Sequence, residues 1–525
     1  MTGMDNIGFY IEILPLVQYV FINAEYNLMN IEDLSPKEVE KFIELQRLIN
    51  EARDQRKPAE DHDSEEDKIL NGNFSKPLAR GFYGDDHKDH NLPNYDTFGC
   101  YMRDIHNLKM NDAFSYIYKD NFYQPITNAG FNYLVDKYTL SKVKPTHYRS
   151  FFLKAQAKCF TDHKDIVHPT GYINLKNGVL NVKKGVIKPH DPKHFFRYKL
   201  DHDFNPDATC HNWIKFLSQT FKGDQELIDI CAQLFGYILV GGHPWAHLAF
   251  CLYGDGRNGK STFLEILTAF LGKHNTSSVS LANLDKPFSA VQMDGKLANI
   301  VFETPSSGID SPSFKLAIGG EYLTAAHKGR DEYDLEITSR FVFACNKLPN
   351  IKDATVGAYE KFQFIPFKEY IYKKDRDRTL SGALKTEMSG ILNWALTGLK
   401  QLESNKGIFP DTAAHDEVMD QYRRESDSVY EWYYDQVSLV IGQGQHYPTK
   451  KLFLEYEVYA TQNRRLPVSF HSFSKRLKTI IRQNCDSLNL EISYVVSHTV
   501  AGNGYDNMIL KANDGFLKAN KRSLQ

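Results

Sequence analysis

The 525-residue sequence has no paired-cysteine motif: Cys100, Cys159, Cys210, Cys231, Cys251, Cys345 and Cys485 are scattered, with no CxxC pair and no histidine at zinc-finger spacing. Neither a structural zinc site nor a disulfide framework is expected, and the cysteines read as reduced core residues of a cytosolic protein. A large charge of one sign is also missing, since 63 Lys and Arg face 65 Asp and Glu for a formal charge of -2. That balance excludes a general polycation, so any nucleic-acid binding must come from local patches. Long hydrophobic runs are lacking as well. Residues Ile7 to Ile22 are apolar but include Glu12 and Gln18, without the basic flank or cleavage site of a signal peptide, and read as a buried helix. No membrane span is expected, and no internal repeat is present.

What remains is an ordinary globular composition, 42% hydrophobic and 24% charged, with many Tyr and Phe. A chain of this length exceeds one hydrophobic core, so three or four units of roughly 90 to 190 residues are expected. Residues 1–92 comprise a short helical piece and a charged linker with Pro58 and Pro77, followed by Pro93. Residues 93–205 mix helices and strands, with a hairpin from Tyr172 to Val182 turning at Asn177-Gly178. Residues 206–243 read as two amphipathic helices, a candidate collar for oligomerisation, one carrying Trp213, Phe216 and Leu217, the other Leu227, Ile230, Leu234 and Ile238. An α/β block with following helices covers 244–436. After the glycine joint at Gly442-Gly444, residues 445–525 form a last domain. Between residues 440 and 525, twelve Lys and Arg stand against six Asp and Glu.

The segment Ala246 to Tyr253 is a buried-strand run ending in Gly254-Asp255-Gly256-Arg257-Asn258-Gly259-Lys260-Ser261, a full match to G-x-x-x-x-G-K-[ST]. Helically spaced Phe263, Leu264, Ile266, Leu267, Phe270 and Leu271 follow. Strand, glycine loop and helix N-terminus together form a phosphate cradle, because glycines turn tightly and aim N–H groups at phosphate oxygens. Lys260 is expected to reach the β- and γ-phosphates of ATP. Ser261 would ligate Mg²⁺, and Thr262 closes the nucleotide-binding set.

A second apolar run, Leu297 to Phe302, ends in Glu303, the candidate base for the attacking water and a candidate magnesium partner; a surface glutamate at a strand end is the plainer alternative. A third, Phe341 to Cys345, ends in Asn346, which can sense a γ-phosphate or can simply form a turn. The acidic cluster Asp85-Asp86-His87-Lys88-Asp89-His90 lies in the charged linker and reads as a solvated loop, so no polymerase site is expected and a separate primase could act alongside.

In the last domain, Lys450 to Gln462 reads as a helix with Leu452, Phe453, Tyr456 and Tyr459 inward. Ser469 or Ser472 caps a second helix, whose outer face carries Lys475, Arg476, Lys478 and Arg482. Strands over Leu490–Val496 and Asn507–Lys511 complete a winged-helix layout suited to duplex DNA; a solvated face or a protein-docking module fits the same charges.

These motifs, in this order, resemble the phage and plasmid primase-helicases and the related poxvirus-type nucleoside triphosphatases, whose motors are superfamily 3 helicases of the AAA+ class. The resemblance runs from about Tyr95 to Lys478. It rests on Asn177-Gly178-Val179-Leu180, Cys210 with Trp213 and Phe216, the loop from Gly254 to Phe263, and Phe302-Glu303-Thr304. Phe314-Lys315-Leu316 with Gly319-Gly320, Asn346-Lys347-Leu348-Pro349 and Ile365-Pro366-Phe367 complete it. It implies an ATP-driven DNA helicase translocating 3′ to 5′ as a hexameric ring on single-stranded and forked DNA, in the cytoplasm of a host if virus- or phage-encoded. It also implies a channel hairpin within Lys315 to Arg340, with a tip at His327-Lys328-Gly329-Arg330. Lys361 stands where the family carries a trans-acting arginine; lysine lacks the planar fork, so that contact would be weaker or come from another residue such as Arg340. An ATP-switched origin-binding initiator is the second reading, and a small-molecule phosphotransferase the third.

Overall fold

The structure, a computed structural model, describes Phe82, residues 93–439 and residues 445–510, except 112–113, 142, 163–164, 167–168, 305–310, 329–330, 349–358, 378, 488–495 and 500–501. The Ile7–Ile22 segment, the Asp85–His90 cluster and the Gly442–Gly444 joint lie outside the described residues.

The first described module opens with helix α1 (Tyr95–Asp104), capped by Asn94, whose side chain accepts the Thr97 amide at 3.1 Å. Strands β1 (Lys109–Met110), β2 (Ser115–Lys119) and β3 (Phe122–Pro125) form an antiparallel sheet, and helices α2 (Asn128–Tyr138) and α3 (Tyr148–Lys158) follow. Phe98 of α1 meets Phe151 of α3 edge-on at 4.9 Å. A second small sheet joins β4 (Tyr172–Leu175), β5 (Gly178–Asn181) and β6 (Val186–Lys188). Leu175 pairs with Gly178, so the hairpin turns at Lys176-Asn177, one residue before the expected position. Gly178 is instead the first residue of β5, where an added Cβ would come 2.4 Å from the Lys188 carbonyl oxygen.

Helices α4 (His211–Thr220) and α5 (Gln225–Leu239) occupy the expected segment, but α5 is buried on nearly its whole circumference rather than along one stripe. It packs along α10 (Met388–Ser404), and the backbones approach so closely that a Cβ on Gly236 would fall 2.6 Å from the Ala395 oxygen. Its apolar residues share one core with the central sheet.

That sheet is parallel, in the order β13-β7-β12-β9-β8: β7 (Ala249–Tyr253), β8 (Thr276–Ser277), β9 (Ala298–Val301), β12 (Arg340–Cys345) and β13 (Phe362–Pro366). Its strands are largely apolar because both faces are covered, with Asn299 and Gln363 as buried polar exceptions. Phe250, Leu252, Ile300, Val342, Ala344 and Ile365 face the core shared with α5, α10 and α6 (Lys260–Leu271). Ala249, Cys251, Val301, Phe341, Phe343 and Phe364 face a second core, with Phe314 of α8 (Ser311–Gly319) and Val418 and Tyr422 of α11 (Ala413–Ser426). Between β9 and β12 the chain makes an antiparallel hairpin of β10 (Tyr322–Ala325) and β11 (Tyr333–Glu336), as expected within Lys315–Arg340. A four-residue helix, α7 (Pro287–Ala290), lies against β10.

The last core gathers Val429, Trp432 and Tyr433 from α12 (Ser428–Gln436) with Leu452 and Tyr456 from α13 (Thr449–Gln462) and Phe473, Leu477 and Ile481 from α14 (Phe470–Ser487). It therefore begins a helix earlier than the expected boundary at residue 445. Ser469 rather than Ser472 caps α14, accepting the Ser472 amide at 3.3 Å. An antiparallel sheet of β14 (Val437–Leu439), β15 (Gln445–Pro448), β16 (Val496–Thr499) and β17 (Gly502–Leu510) closes the module. Of the expected strands Leu490–Val496 and Asn507–Lys511, residues 490–495 and 511 lie outside the described residues; Val496 pairs with Tyr505, so Gly502-Asn503-Gly504 opens β17 instead of forming the joint.

Candidate nucleotide site

Register puts the carboxyl ends of three central strands level, because Tyr253 of β7 pairs with both Cys345 of β12 and Pro366 of β13. The chain leaves β7 there through the glycine loop and returns on either side of it, the kind of strand-order reversal that opens a crevice at the carboxyl edge of a parallel sheet. Gly254, Gly256 and Gly259 all take positive φ, at 157°, 91° and 94°. The loop is fastened to both neighbours. The Gly254 amide donates to Cys345 O at 3.3 Å, and the Asn258 side chain donates to Phe367 O at 2.8 Å. An added Cβ on Gly254 would lie 2.3 Å from Phe367 O, whereas one on Gly256 meets nothing within 4 Å. The loop is thus tight against the sheet and open at its crown.

Lys260 begins α6, after Gly259 as N-cap, and no side chain caps that helix end. Its ammonium is 6% exposed and is held by two neutral oxygens, Gly254 O at 2.5 Å and Asn258 Oδ1 at 3.1 Å. Burial lowers its pKa from the ordinary lysine value, an effect that the thiols of Cys345 and Cys251 and the carboxylate of Asp255 only partly offset. An anion between the loop amides, the uncapped helix end and this ammonium would find all three complementary to it. Asp255, Arg257 and Ser261 are exposed, and Gly259 and Thr262 are half-buried. Arg257 donates to the Tyr370 hydroxyl at 3.0 Å, while its carbonyl accepts the Ile371 amide at 2.7 Å. Sequence reasoning gave the loop its residues; the anchoring by Phe367 and Tyr370, which come more than a hundred residues later, had no local signal.

Val301 of β9 pairs with Phe343, which carries Glu303, two residues on, to the level of Cys345. The Thr304 amide fixes this exit by donating to Ala344 O at 2.9 Å, and Glu303 is exposed. Asn346, also exposed, follows β12 directly. Lys260, Ser261, Glu303 and Asn346 therefore share one edge of the sheet. Among the described residues no group of three or more His, Cys, Asp or Glu could hold a metal ion. Magnesium at this edge would depend on Ser261, Glu303, phosphate oxygens and water.

Lys361 is not brought to that edge. Its carbonyl accepts the Ala249 amide at 2.7 Å where β7 and β13 begin, so it sits at the opposite, amino edge of the sheet. Arg340 starts β12 at the same end and cannot serve a neighbouring nucleotide. It is 1% exposed, donates to Gly241 O and Gly242 O at 2.6 Å each and to Thr338 O at 2.7 Å, and lies 4.7 Å from the Tyr237 ring and 5.8 Å from Trp245. The charge that suggested an exposed contact is consumed by carbonyls and rings.

Of the expected DNA contacts, Lys328 is exposed beyond β10, and Arg330 lies outside the described residues. On α14, Lys475, Lys478 and Arg482 are exposed. Arg476 departs from that row: it donates to Asp427 at 3.2 Å, the carboxylate that caps α12.

Comparison with known proteins joins these pieces. Residues 127–222 match the family described as D5 N terminal like, and residues 252–356 match a family of unknown function, DUF5906. The chain is 25% identical over 208 residues to "Putative helicase L207/L206" of Acanthamoeba polyphaga mimivirus, covering 37% of this chain and 21% of that protein. It is 25% identical over 224 residues to "Putative helicase 121R" of Invertebrate iridescent virus 3, covering 39% of this chain and 23% of that one. These matches support a relationship to the phage and viral superfamily 3 helicase-primase group. It matches about a fifth of the length of these viral relatives. The apo structure of the NrS-1 C-terminal region (305–718) aligns over 79% of this chain and 99% of its own, at 14% identity and a TM-score of 0.43. The D5-like match lies upstream of the glycine loop, and the second match spans the loop, Glu303, the hairpin and Asn346.

Proposed function

We propose that this protein is an ATP-dependent DNA helicase of superfamily 3, acting in replication of a phage, plasmid, mobile element or large DNA virus. The observation that carries the reading is Lys260, a buried ammonium with only neutral partners, set in an open glycine cradle at an uncapped helix end. ATP would bind with its phosphates on the loop from Gly254 to Thr262 and with Mg²⁺ on Ser261. Glu303 would orient and deprotonate the attacking water, and Asn346 would contact the γ-phosphate without adding charge. The names of the viral relatives support a replication role.

Lys361, at the far edge of the sheet, would serve the ATP of a neighbouring subunit, which makes a hexameric homo-oligomer the natural working form. The hairpin would present Lys328 and Arg330 to the phosphates of single-stranded DNA, drawn 3′ to 5′ from a fork. The C-terminal module runs helix, two strands, helix pair and strand pair, and its helix pair followed by a strand pair supports a winged-helix reading. Its row of Lys475, Lys478 and Arg482 would meet duplex phosphates, with Arg476 holding the helix in place. A primase or polymerase would act in trans. Among the described residues no helix is long and apolar enough to cross a membrane.

The alternative is an initiator that binds DNA and uses ATP as an assembly switch. Unwinding of a forked duplex decides between them: the helicase separates strands with ATP and Lys260→Ala does not. A native protein that hydrolyses ATP and binds DNA yet never unwinds a fork would leave the initiator standing. A native protein with no ATP turnover would overturn both.

A further inference from the structure

The turn that precedes β9, close to the basic hairpin, is not held by the central domain alone. Arg197, in the segment after β6 of the first module, reaches the turn that precedes β9 and pairs with Asp294 at 2.8 Å. Its guanidinium lies 4.8 Å from the ring of Tyr116 on β2, and the two paired side chains are only 27% and 28% exposed. Gly295 completes the seat. It takes φ of 68°, and an added Cβ would fall 2.6 Å from the Arg197 guanidinium, so the arginine lies flat on bare backbone. Tyr333, the first residue of β11, lies within electrostatic range of both Asp294 and Arg197. The Tyr333 ring in turn stacks on His327, the neighbour of Lys328, with centroids 6.4 Å apart and planes 23° apart. Contacts thus run from β2 through Arg197 to the Asp294–Gly295 turn, whose charges lie close to the loop end of the hairpin, where Tyr333 and His327 stack.

We infer that Arg197 is a positioning residue for nucleic-acid binding: by clamping the Asp294–Gly295 turn against Tyr116, close to the loop end of β11, it sets where the hairpin presents Lys328 to a single strand. The planar fork suits the task, since one side chain can stack on a ring, pair with a carboxylate and lie against a glycine at once, which a lysine ammonium cannot. The inference rests on the hairpin's proposed role in binding DNA, and it adds that the first module governs that role.

The test measures affinity of the full chain for fluorescent oligo-dT, with thermal unfolding recorded for each variant. Lys328→Ala first establishes that the hairpin binds. Arg197→Ala should then weaken binding about tenfold, and Arg197→Lys should fall between it and the native protein. Adding Arg197→Ala to Lys328→Ala should cost little more, because the arginine acts through that lysine. Asp294→Asn removes the pair from the other side and should reproduce the Arg197→Ala loss if that variant folds poorly. Native affinity in both Arg197→Ala and Asp294→Asn, beside a weakened Lys328→Ala, would refute the clamp. So would losses in the double variant that simply multiply, the mark of general damage. If Lys328→Ala itself binds normally, the hairpin reading fails first and takes the clamp with it.

Discussion

Lys260 and Arg340 are both buried cations whose hydrogen bonds among the described residues go to neutral oxygens, one at each edge of the same sheet, and they differ in what surrounds the charge. Arg340 has three carbonyl oxygens and two aromatic rings around it, and its burial lowers its pKa from the ordinary arginine value without giving it an outlet. Lys260 has two neutral oxygens, and the crown of the loop beside it is open. A buried charge enclosed by fixed dipoles is a structural element; one left beside an open cradle is a binding element awaiting an anion. The same contrast separates the two ends of the strands. The carboxyl edge leaves Glu303 and Asn346 exposed, whereas the amino edge is closed by Arg340, Trp245 and the Gly241–Gly242 turn.

The contrast breaks most visibly if the two cations are replaced by methionine. Arg340→Met strands carbonyls of Gly241, Gly242 and Thr338 inside the protein and should lower unfolding stability by roughly 3 to 5 kcal/mol, read by denaturant titration. Lys260→Met should do the reverse, abolishing ATP turnover by at least about a hundredfold while leaving the melting temperature unchanged or higher, since it removes a charge that burial disfavours. Equal stability losses in the two variants would erase the distinction drawn here.

A smaller effect is expected at the amino edge from Gly295→Ala. Positive φ and the 2.6 Å approach to Arg197 should destabilise by about 1 to 3 kcal/mol, and Arg197→Ala should relieve part of that. Unchanged stability in Gly295→Ala would show that the turn tolerates a side chain.

The gentlest test concerns buried groups that stay neutral. Burial lowers His106 and His202 to about 4. The unfolded chain therefore binds protons on both between about pH 6.5 and 4 while the folded chain does not, so stability is full above that window and falls as pH drops through it. The slope is at most about 1.4 kcal/mol per pH unit for each histidine. His202 stacks on Phe270 at 5.0 Å, and His202→Phe should flatten the acid limb of the melting curve. An unaltered limb would mean that His202 does not contribute to it.

Much of the fold could be read along the chain. Continuous apolar runs located β7, β9 and β12 because strands covered on both faces are largely apolar, and the spacing of glycines around Lys260 located the loop because few other sequences permit that backbone. The pattern on α14 picked out its buried face correctly. It could not tell Arg476 from Lys475, because both point away from the core and only a neighbour from another helix, Asp427, distinguishes them. The C-terminal strand register slipped for a similar reason: a glycine pair suits a turn and a strand interior alike, and pairing with β15 decided the matter.

By itself the sequence determined which segment can cradle phosphate, which strands are buried and where cations are dense, since these depend on local conformational freedom and on periodic apolarity. Tertiary structure alone decided what each cation does. It enclosed Arg340 in carbonyls, set Lys361 at the far edge from Lys260 and seated Arg197 on the Asp294–Gly295 turn. The role of a charge depends on the partners that reach it, and those come from segments tens to hundreds of residues away.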